Sequence, residues 1–350
     1  MSEVTAKKRV PVKRWIILAM IVAGIYCAYI GPAILKPVSP TVVLPAESIW
    51  PGVWLTNTML ATIITDILLL LLALGAYRFS KSGSLVPKGM YNAFEAIVEY
   101  LWNSVEGATG KWARRIIPIV GTIFLLIFIA NMIKMVPGFE SIGYLEAPQK
   151  SSIAWGTVKL FSIGSLPVYA LNPDEKIIYV MPVEEDTGAE SHPAESHELC
   201  KECQVVPFLR GVATDLNFPL ALAVIAVFMT QVFGVWAVGP GYFSKFLPVG
   251  KLVSGGIFGI IDFGVGFLEL ILEFAKILSF SFRLFGNIFA GVLLLSIVGA
   301  LLPVVIPPGL YLFEVFFGII QAYVFFLLAT IFISMALVSH QGGEESKEHH

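Results

Sequence analysis

Residues 252–338 form an almost continuous apolar run that is broken at Pro303 and at Pro307-Pro308. A helix needs about 20 apolar residues to span a bilayer, so this run predicts two very long helices with a turn at the prolines. At about 1.5 Å per residue, helices of roughly 30 or more residues are longer than the hydrocarbon core is thick. We therefore expect both helices to tilt strongly within the membrane and to form a C-terminal hairpin.

Further apolar segments extend this pattern toward the N-terminus, and only 14% of the residues are charged, against about 25% in a typical soluble domain. Residues 87–113 differ, because Ile97 and Leu101 alternate with Glu95 and Glu99 in the spacing of a helix that lies on the membrane surface. The predicted fold is all-α: a multi-pass helical membrane protein with a surface amphipathic helix and the two long, tilted helices of the hairpin. The further spanning segments are residues 15–31, 53–78, 116–136 and 216–239.

Lysine and arginine mark the cytoplasmic ends of the spans and so divide the chain into segments. The basic start, Lys7-Lys8-Arg9, followed by apolar residues resembles a signal sequence, which is either cleaved or retained as a first helix. The poor small-residue cleavage pattern favours retention. The predicted segments are a basic N-terminus with the first apolar segment and an exterior linker (1–52), a spanning, a surface and an outward-crossing helix (53–137), a polar exterior insert (138–210), a returning helix with the hairpin (211–340), and a polar tail (341–350).

Arg283 lies inside the long apolar run, with no other charged residue between Lys276 and Glu314. A charged side chain within a spanning segment is costly to insert and usually faces protein or a water-filled cavity. Arg283 is therefore the first candidate for a functional residue.

Polar residues around Arg283 follow helical spacing, and Glu314 and Gln321 share a face of the next helix. One interpretation is a structural ion pair in which Glu269 or Glu273 joins Lys276 or Arg283. Arg283, however, has no charged neighbour within two turns, so we expect its partner on another chain. The residues on the first face are Glu269, Glu273, Lys276, Arg283 and Asn287.

The segment Ser279-Phe-Ser-Phe-Arg283-Leu-Phe-Gly-Asn287-Ile-Phe-Ala-Gly291 resembles a motif of subunit a of the membrane sector of the rotary F-type ATP synthase. The resemblance extends over most of residues 54–338 apart from the insert. It includes, in order, Thr56-Asn57-Thr58, the surface helix from Val86-Pro87, the run from Phe124 to Asn131, Thr214-Asp215-Leu216-Asn217 and Gln321-Ala322.

The resemblance implies a stator subunit beside the c-ring, whose subunits each carry one membrane-embedded carboxylate. Protons would enter by one aqueous half-channel and leave by a second, with Arg283 attracting the ring carboxylate and preventing a direct leak. Val292 stands where the family usually has a second titratable group, which implies that Glu314 acts alone or with Asp215. By the same resemblance, the outer half-channel would contain Asn287, Gln321 and Glu314, and the inner one Glu269 and Lys276.

The resemblance also implies the partners: the c-ring, peripheral-stalk subunit b and membrane lipid, in a cell membrane that is most simply the bacterial plasma membrane. The sequence has no Gly-x-x-x-x-Gly-Lys-Ser/Thr motif and no long basic block, so we expect no directly bound nucleotide and no nucleic acid. We expect no cofactor and no catalytic site of the chain's own. A secondary transporter is the alternative, but transporters usually show paired repeats, and none is evident here.

Two further features remain open. Asp66 lies in the middle of a predicted span and is either a packing residue or a functional one. In the insert, a compact cluster predicts either a tetrahedral zinc site or, as the short spacing favours, a disulfide or free thiols. The cluster consists of His192, His197, Cys200 and Cys203.

Overall fold

The computed structural model describes most of the helical part of the chain and the strands of the insert. In the N-terminal segment, it describes Ala19, Val22 and Tyr26, and all three are helical. The described ranges are residues 46–49, 54–81, 90–136, 139–140, 142–146, 153–163, 166–178, 204–246, 256–301 and 306–338.

Helices dominate the described residues. Three short 3-10 helices join them, at Gly110–Trp112, Val212–Thr214 and Pro240–Lys245. The α-helices are α1 (Asn57–Lys81), α2 (Met90–Thr109), α3 (Ala113–Ile133), α4 (Asn217–Val238), α5 (Gly256–Leu301) and α6 (Ile306–Val338).

Five helical segments in the described part of the chain are long and apolar enough to cross a membrane. Their lengths and composition confirm the predicted all-α multi-pass membrane fold. These segments are Asn57–Phe79, Asn92–Ile133, Asn217–Val238, Ile261–Val298 and Ile306–Leu337.

The prolines separate the last two helices as expected. α5 ends at Leu301, two residues before Pro303, and α6 starts at Ile306. Pro307 and Pro308 therefore occupy the first turn of α6, where proline is tolerated because the backbone N–H groups have no helical acceptor. α5 contains 46 residues and α6 contains 33, so both are the long helices that the sequence predicts.

The amphipathic pattern of α2 is present in the structure. Leu101 and Val105 are buried one turn apart, whereas Glu95, Glu99 and Glu106 are exposed. α2 also contacts α6, since the Tyr100 and Tyr323 hydroxyl groups lie 2.7 Å apart. The position of α2 at a membrane surface stays a prediction.

The insert contains β-strands, which the sequence analysis did not predict. β2 (Ile153–Ile163) pairs antiparallel with β3 (Leu166–Ile178), and β1 (Gly143–Glu146) pairs with β4 (Gln204–Pro207). These strands were missed because the sequence analysis treated the insert only as polar sequence outside the membrane. Its exterior location and the segment boundaries stay predictions.

The chain divides into two units, one of residues 1–42, 145–205 and 291–313, the other of residues 43–144, 206–290 and 314–350. The first contains the β2–β3 hairpin. The second has an apolar core to which α2 through α6 all contribute. In this core the ring centroids of Phe280 of α5 and Phe325 of α6 lie 4.7 Å apart with the rings tilted. All of the spanning-segment residues proposed for the site, and Asp215, belong to the second unit.

Candidate functional site

α5 presents Arg283 at the edge of its buried face. Phe280, Leu284 and Ile288 are buried at helical spacing and hold the helix against the core. Arg283 directly precedes Leu284 but is exposed, because successive residues point about 100° apart around a helix. The packing of the neighbouring apolar residues thus directs the guanidinium away from the core.

Arg283 has no hydrogen bond or ion pair within the described ranges. None of the described residues donates to it, accepts from it or forms an ion pair with it. This distinguishes Arg283 from Lys276, which lies two turns earlier on the same helix and donates a hydrogen bond to Glu273 Oε1 at 2.8 Å. The structural ion-pair interpretation therefore applies to Lys276 and does not extend to Arg283.

Two acidic residues of α5, Glu269 and Glu273, form a charged cluster with a lysine from outside the helix. Lys245 Nζ lies 3.4 Å from Glu269 Oε1 and 3.8 Å from Glu273 Oε1. Lys276 completes this inner cluster, which we define as Lys245, Glu269, Glu273 and Lys276. From the sequence, lysines near the ends of spans indicated only membrane orientation, so Lys245 was missed as a partner of these carboxylates.

Aromatic packing places Lys245 in the inner cluster. Its Nζ lies 4.2 Å from the ring centroid of Tyr242 and 4.5 Å from that of Phe246. Tyr242 is fully buried and occupies space left by Gly234, where a Cβ atom would lie 2.4 Å from the ring. A larger residue at Gly234 would therefore displace Tyr242 and, with it, Lys245.

Glu314 has a basic partner on another helix. Lys134 follows the last residue of α3, and its Nζ forms an ion pair with Glu314 Oε1 of α6. The Lys134 and Glu314 side chains are 5% and 13% exposed, so the pair is nearly buried. No hydrogen bond or ion pair joins Glu314 to Asp215 in the part of the chain that the structure describes.

Asp215 instead contacts the beginning of α1. Thr58 Oγ1 donates a long hydrogen bond of 3.5 Å to Asp215 Oδ2. Arg210 is close enough to interact electrostatically with this carboxylate. Burial lowers the pKa of the Arg210 guanidinium, whereas the carboxylates of Glu140, Glu47 and Asp215 act in the opposite direction. The structure thus groups Asp215 with other polar residues near the start of α4, away from the inner cluster on α5.

The two predicted amide residues differ in burial. Gln321 is buried, and its Nε2 has no hydrogen-bond partner among the described residues. Asn287 is half-buried on α5. A buried amide without a protein acceptor commonly binds an ordered water molecule, so Gln321 is a suitable position for water inside the protein.

Two other candidates do not join the site. Asp66 is exposed on α1, and its role stays unassigned. His192, His197, Cys200 and Cys203 lie outside the described residues, so the choice between zinc and disulfide is untested. No metal-binding group of three or more side chains occurs within the ranges that are described.

Comparison with known proteins identifies the family. The sequence profile described as "ATP synthase A chain" matches residues 59–334, which include α2 to α5 in full and most of α1 and α6. The chain belongs to the ATP synthase A chain family. This result confirms the resemblance that rests on Arg283, Asn287 and the other motif residues.

Individual members of the ATP synthase A chain family are similar over nearly their whole length. ATP synthase subunit a of Helicobacter pylori is 26% identical over 282 residues, which are 80% of this chain and 89% of the relative. The subunit of Helicobacter acinonychis has the same identity and coverage. That of Mycobacterium bovis is 28% identical over 308 residues, covering 86% of this chain and 92% of the relative.

Proposed function

We propose that this chain is the proton-translocating stator subunit a of a rotary F-type ATP synthase. It forms two aqueous half-channels against the c-ring, and Arg283 separates them. The observation that carries this proposal is that Arg283 is exposed on the apolar part of α5 that follows Lys276 and forms no hydrogen bond or ion pair with any described residue. A cation in that position needs an anionic partner, and the membrane-embedded carboxylate of a ring subunit has the matching charge.

The chemistry of arginine suits this role. A guanidinium group keeps its charge at any physiological pH, so it attracts each arriving carboxylate in the anionic form. An adjacent cation favours loss of the carboxylate's proton, which promotes release into the half-channel as the ring turns. The same fixed charge repels a proton moving directly between the half-channels, because that path passes Arg283.

The remaining polar residues fall into two groups. Glu314, Gln321, Asn287 and Asp215 belong to the outer half-channel, and Gln321 contributes an unpartnered buried amide that can bind water. Glu269 and Lys276 belong to the inner half-channel, where both are members of the inner cluster. Charged groups in contact with one another limit the energetic penalty of burial while keeping the path polar.

The assembly supplies the rest of the environment. The c-ring covers the exposed side of α5 at Arg283, peripheral-stalk subunit b binds elsewhere on the chain, and lipid covers the apolar surfaces. The membrane is the plasma membrane of a bacterium, consistent with the bacterial sources of the relatives. Nucleotide chemistry takes place on other subunits.

Arg283→Ala tests the function. In inverted membrane vesicles that contain the complete ATP synthase, we expect this variant to abolish ATP-driven acidification, because no cation remains to meet the ring carboxylate. Arg283→Lys should fail almost as completely, since an ammonium group lacks the planar, delocalised charge of guanidinium. The readout is quenching of a pH-sensitive dye after ATP addition.

Ser279→Ala is the matched control, because Ser279 is exposed on α5 one turn before Arg283 and carries no charge. It should pump at the normal rate. Immunodetection of the chain in the purified complex checks that each variant assembles. Normal acidification by an assembled Arg283→Ala complex would refute the proposed function.

A further inference from the structure

Lys134 is nearly buried, yet neither the sequence motif nor the proposed path includes it. It lies at the end of α3, and its Nζ contacts Glu314 Oε1 of α6. The two residues are 180 positions apart in the sequence, so only the tertiary fold brings them together. Their side chains are 5% and 13% exposed, which leaves Glu314 the more accessible of the two.

A second contact fixes the same two helices one turn away. Asn131 Nδ2 donates a hydrogen bond of 3.0 Å to the Gly318 backbone oxygen. A Cβ atom at Gly318 would lie 3.1 Å from Asn131 Cβ, so the glycine permits a close approach of α3 and α6. Lys134 caps α3 three residues after Asn131, and Glu314 and Gly318 are four residues apart on α6. The two pairs therefore form successive layers of one interface.

We propose that Lys134 is a positioning residue for proton transfer at Glu314. This inference rests on the proposed function and adds a residue to its outer half-channel. Lys134 holds one carboxylate oxygen, while the partly exposed carboxylate takes up a proton from the aqueous side. That proton forms an O–H bond on Glu314 and leaves by breaking the same bond, so Lys134 keeps its own protons throughout.

Glu314 needs a positioning cation because an unpaired carboxylate that is as buried as Glu314 would carry a large desolvation penalty. An ammonium group in direct contact offsets that penalty without occupying the second oxygen. Glu140 is another carboxylate in this region: its Oε1 accepts a hydrogen bond of 2.9 Å from the Gly211 backbone N–H. Glu140 therefore has its own donor, whereas Lys134 is the donor to Glu314 among the residues that the structure describes.

The first test compares Lys134→Gln with Lys134→Arg in vesicles that contain the complete ATP synthase. The glutamine variant should lower the initial rate of ATP-driven acidification by about tenfold or more, as expected when a proton-transferring group is misplaced. The arginine variant should retain most of the rate because it keeps a cation beside Glu314. Equal rates for Lys134→Gln and the unchanged complex would overturn the inference.

Asn131→Ala serves as the control for helix packing. It removes the other hydrogen bond between α3 and α6 but leaves the Lys134–Glu314 charges in place. The assembled variant should pump nearly normally. A loss as large as that of Lys134→Gln would show that packing, not the position of the cation, determines the rate, and would contradict the inference.

The double variant Lys134→Gln/Glu314→Gln keeps the test decisive if the single variant fails to assemble. Two amides can hydrogen-bond to each other and leave no unpaired charge buried, so this variant should assemble. Its rate of ATP-driven acidification should still be lower than that of the unchanged complex by about tenfold or more, because the proton-accepting carboxylate is gone. Normal pumping would assign the ion pair a structural role only.

Arg283→Ala, measured in parallel, separates the two proposals. If Arg283→Ala abolishes acidification while the Lys134 variants pump normally, the stator function stands and the inference about Lys134 fails. If Arg283→Ala itself pumps normally, the proposed function fails.

Discussion

Arg283 and Lys245 are both cations close to apolar residues, but their surroundings differ. Lys245 is nearly buried, lies within 4 Å of two carboxylates and packs against two aromatic rings. Arg283 is exposed and has none of these contacts among the described residues. A cation satisfied within its own chain can stabilise the fold, whereas an unsatisfied one is available to a partner. The residue motif predicts the importance of Arg283, but only the structure shows this contrast.

Tyr242 gives a prediction at the same scale. Its buried hydroxyl group has no hydrogen-bond partner in the described part of the chain, so Tyr242→Phe should be neutral or slightly stabilising near pH 7. Tyr242 lies outside the spanning segments, and burial raises the pKa of its hydroxyl group, whereas the neighbouring Lys245 cation acts in the opposite direction and only partly offsets the effect. The phenol of Tyr242 therefore stays protonated to a higher pH in the folded state than in the unfolded state. The free energy of unfolding falls as the pH rises above the tyrosine pKa of the unfolded state, which is about 10.

Tyr242→Phe should remove the part of the stability loss at alkaline pH that comes from ionisation of Tyr242. Thermal unfolding of the purified complex, followed by tryptophan fluorescence between neutral and alkaline pH, measures the effect. The variant's melting temperature should fall less steeply with pH than that of the unchanged complex. Identical slopes would contradict the role assigned to Tyr242 ionisation.

At the scale of elements, the apolar runs were sufficient to predict the helices, because a bilayer requires segments of characteristic length. Proline positions also predicted where α5 ends and α6 begins. The ion pairs were not predictable in the same way. Lys134 and Lys245 pair with residues on other helices, and their distance along the sequence gives no indication of that contact. For Lys134, the available signal was a lone lysine directly after the largely apolar stretch from Ile116 to Ile133.

The inner cluster attaches the 3-10 helix Pro240–Lys245 to α5. Lys245→Gln should destabilise this attachment, because Glu273 loses one cation while its Oε2 is already buried without a hydrogen-bond partner among the described residues. We expect the free energy of unfolding to fall by about 1–3 kcal/mol. This is less than the ~3–5 kcal/mol for a buried charge that loses its only partner, because Lys276 still contacts Glu273.

Thermal unfolding at neutral pH measures this loss, and Lys81→Gln is the control because Lys81 is exposed at the end of α1. The control should change the melting temperature little. If both lysine variants unfold at the temperature of the unchanged complex, the inner cluster does not stabilise the attachment.

At the scale of the whole molecule, the exposed surface of α5 around Arg283 is a predicted contact with the c-ring. Ser279 is exposed there, and Ser281 is buried two residues away. With Cys27, Cys200 and Cys203 replaced by serine, Ser279→Cys should form a disulfide with a cysteine placed beside the ring carboxylate. Ser281→Cys should not, because its side chain faces the core.

Cross-linking in membranes, read as a shifted band on a non-reducing gel, measures this contact. A dithiothreitol-sensitive product that contains both chains is the expected result for Ser279→Cys. Equal cross-linking at both positions, or at Ser281→Cys alone, would contradict the assigned orientation of α5.

The exposed guanidinium also has a consequence for biogenesis. A newly inserted copy without its ring would present a bare cation to lipid tails, at a free-energy penalty of about 2.5–3.5 kcal/mol on insertion scales. Orphan copies should therefore be short-lived, and a membrane protease would have a chemical basis for distinguishing them from mature complexes. The side chain that we propose to act in the motor would thus also indicate whether the complex has been assembled.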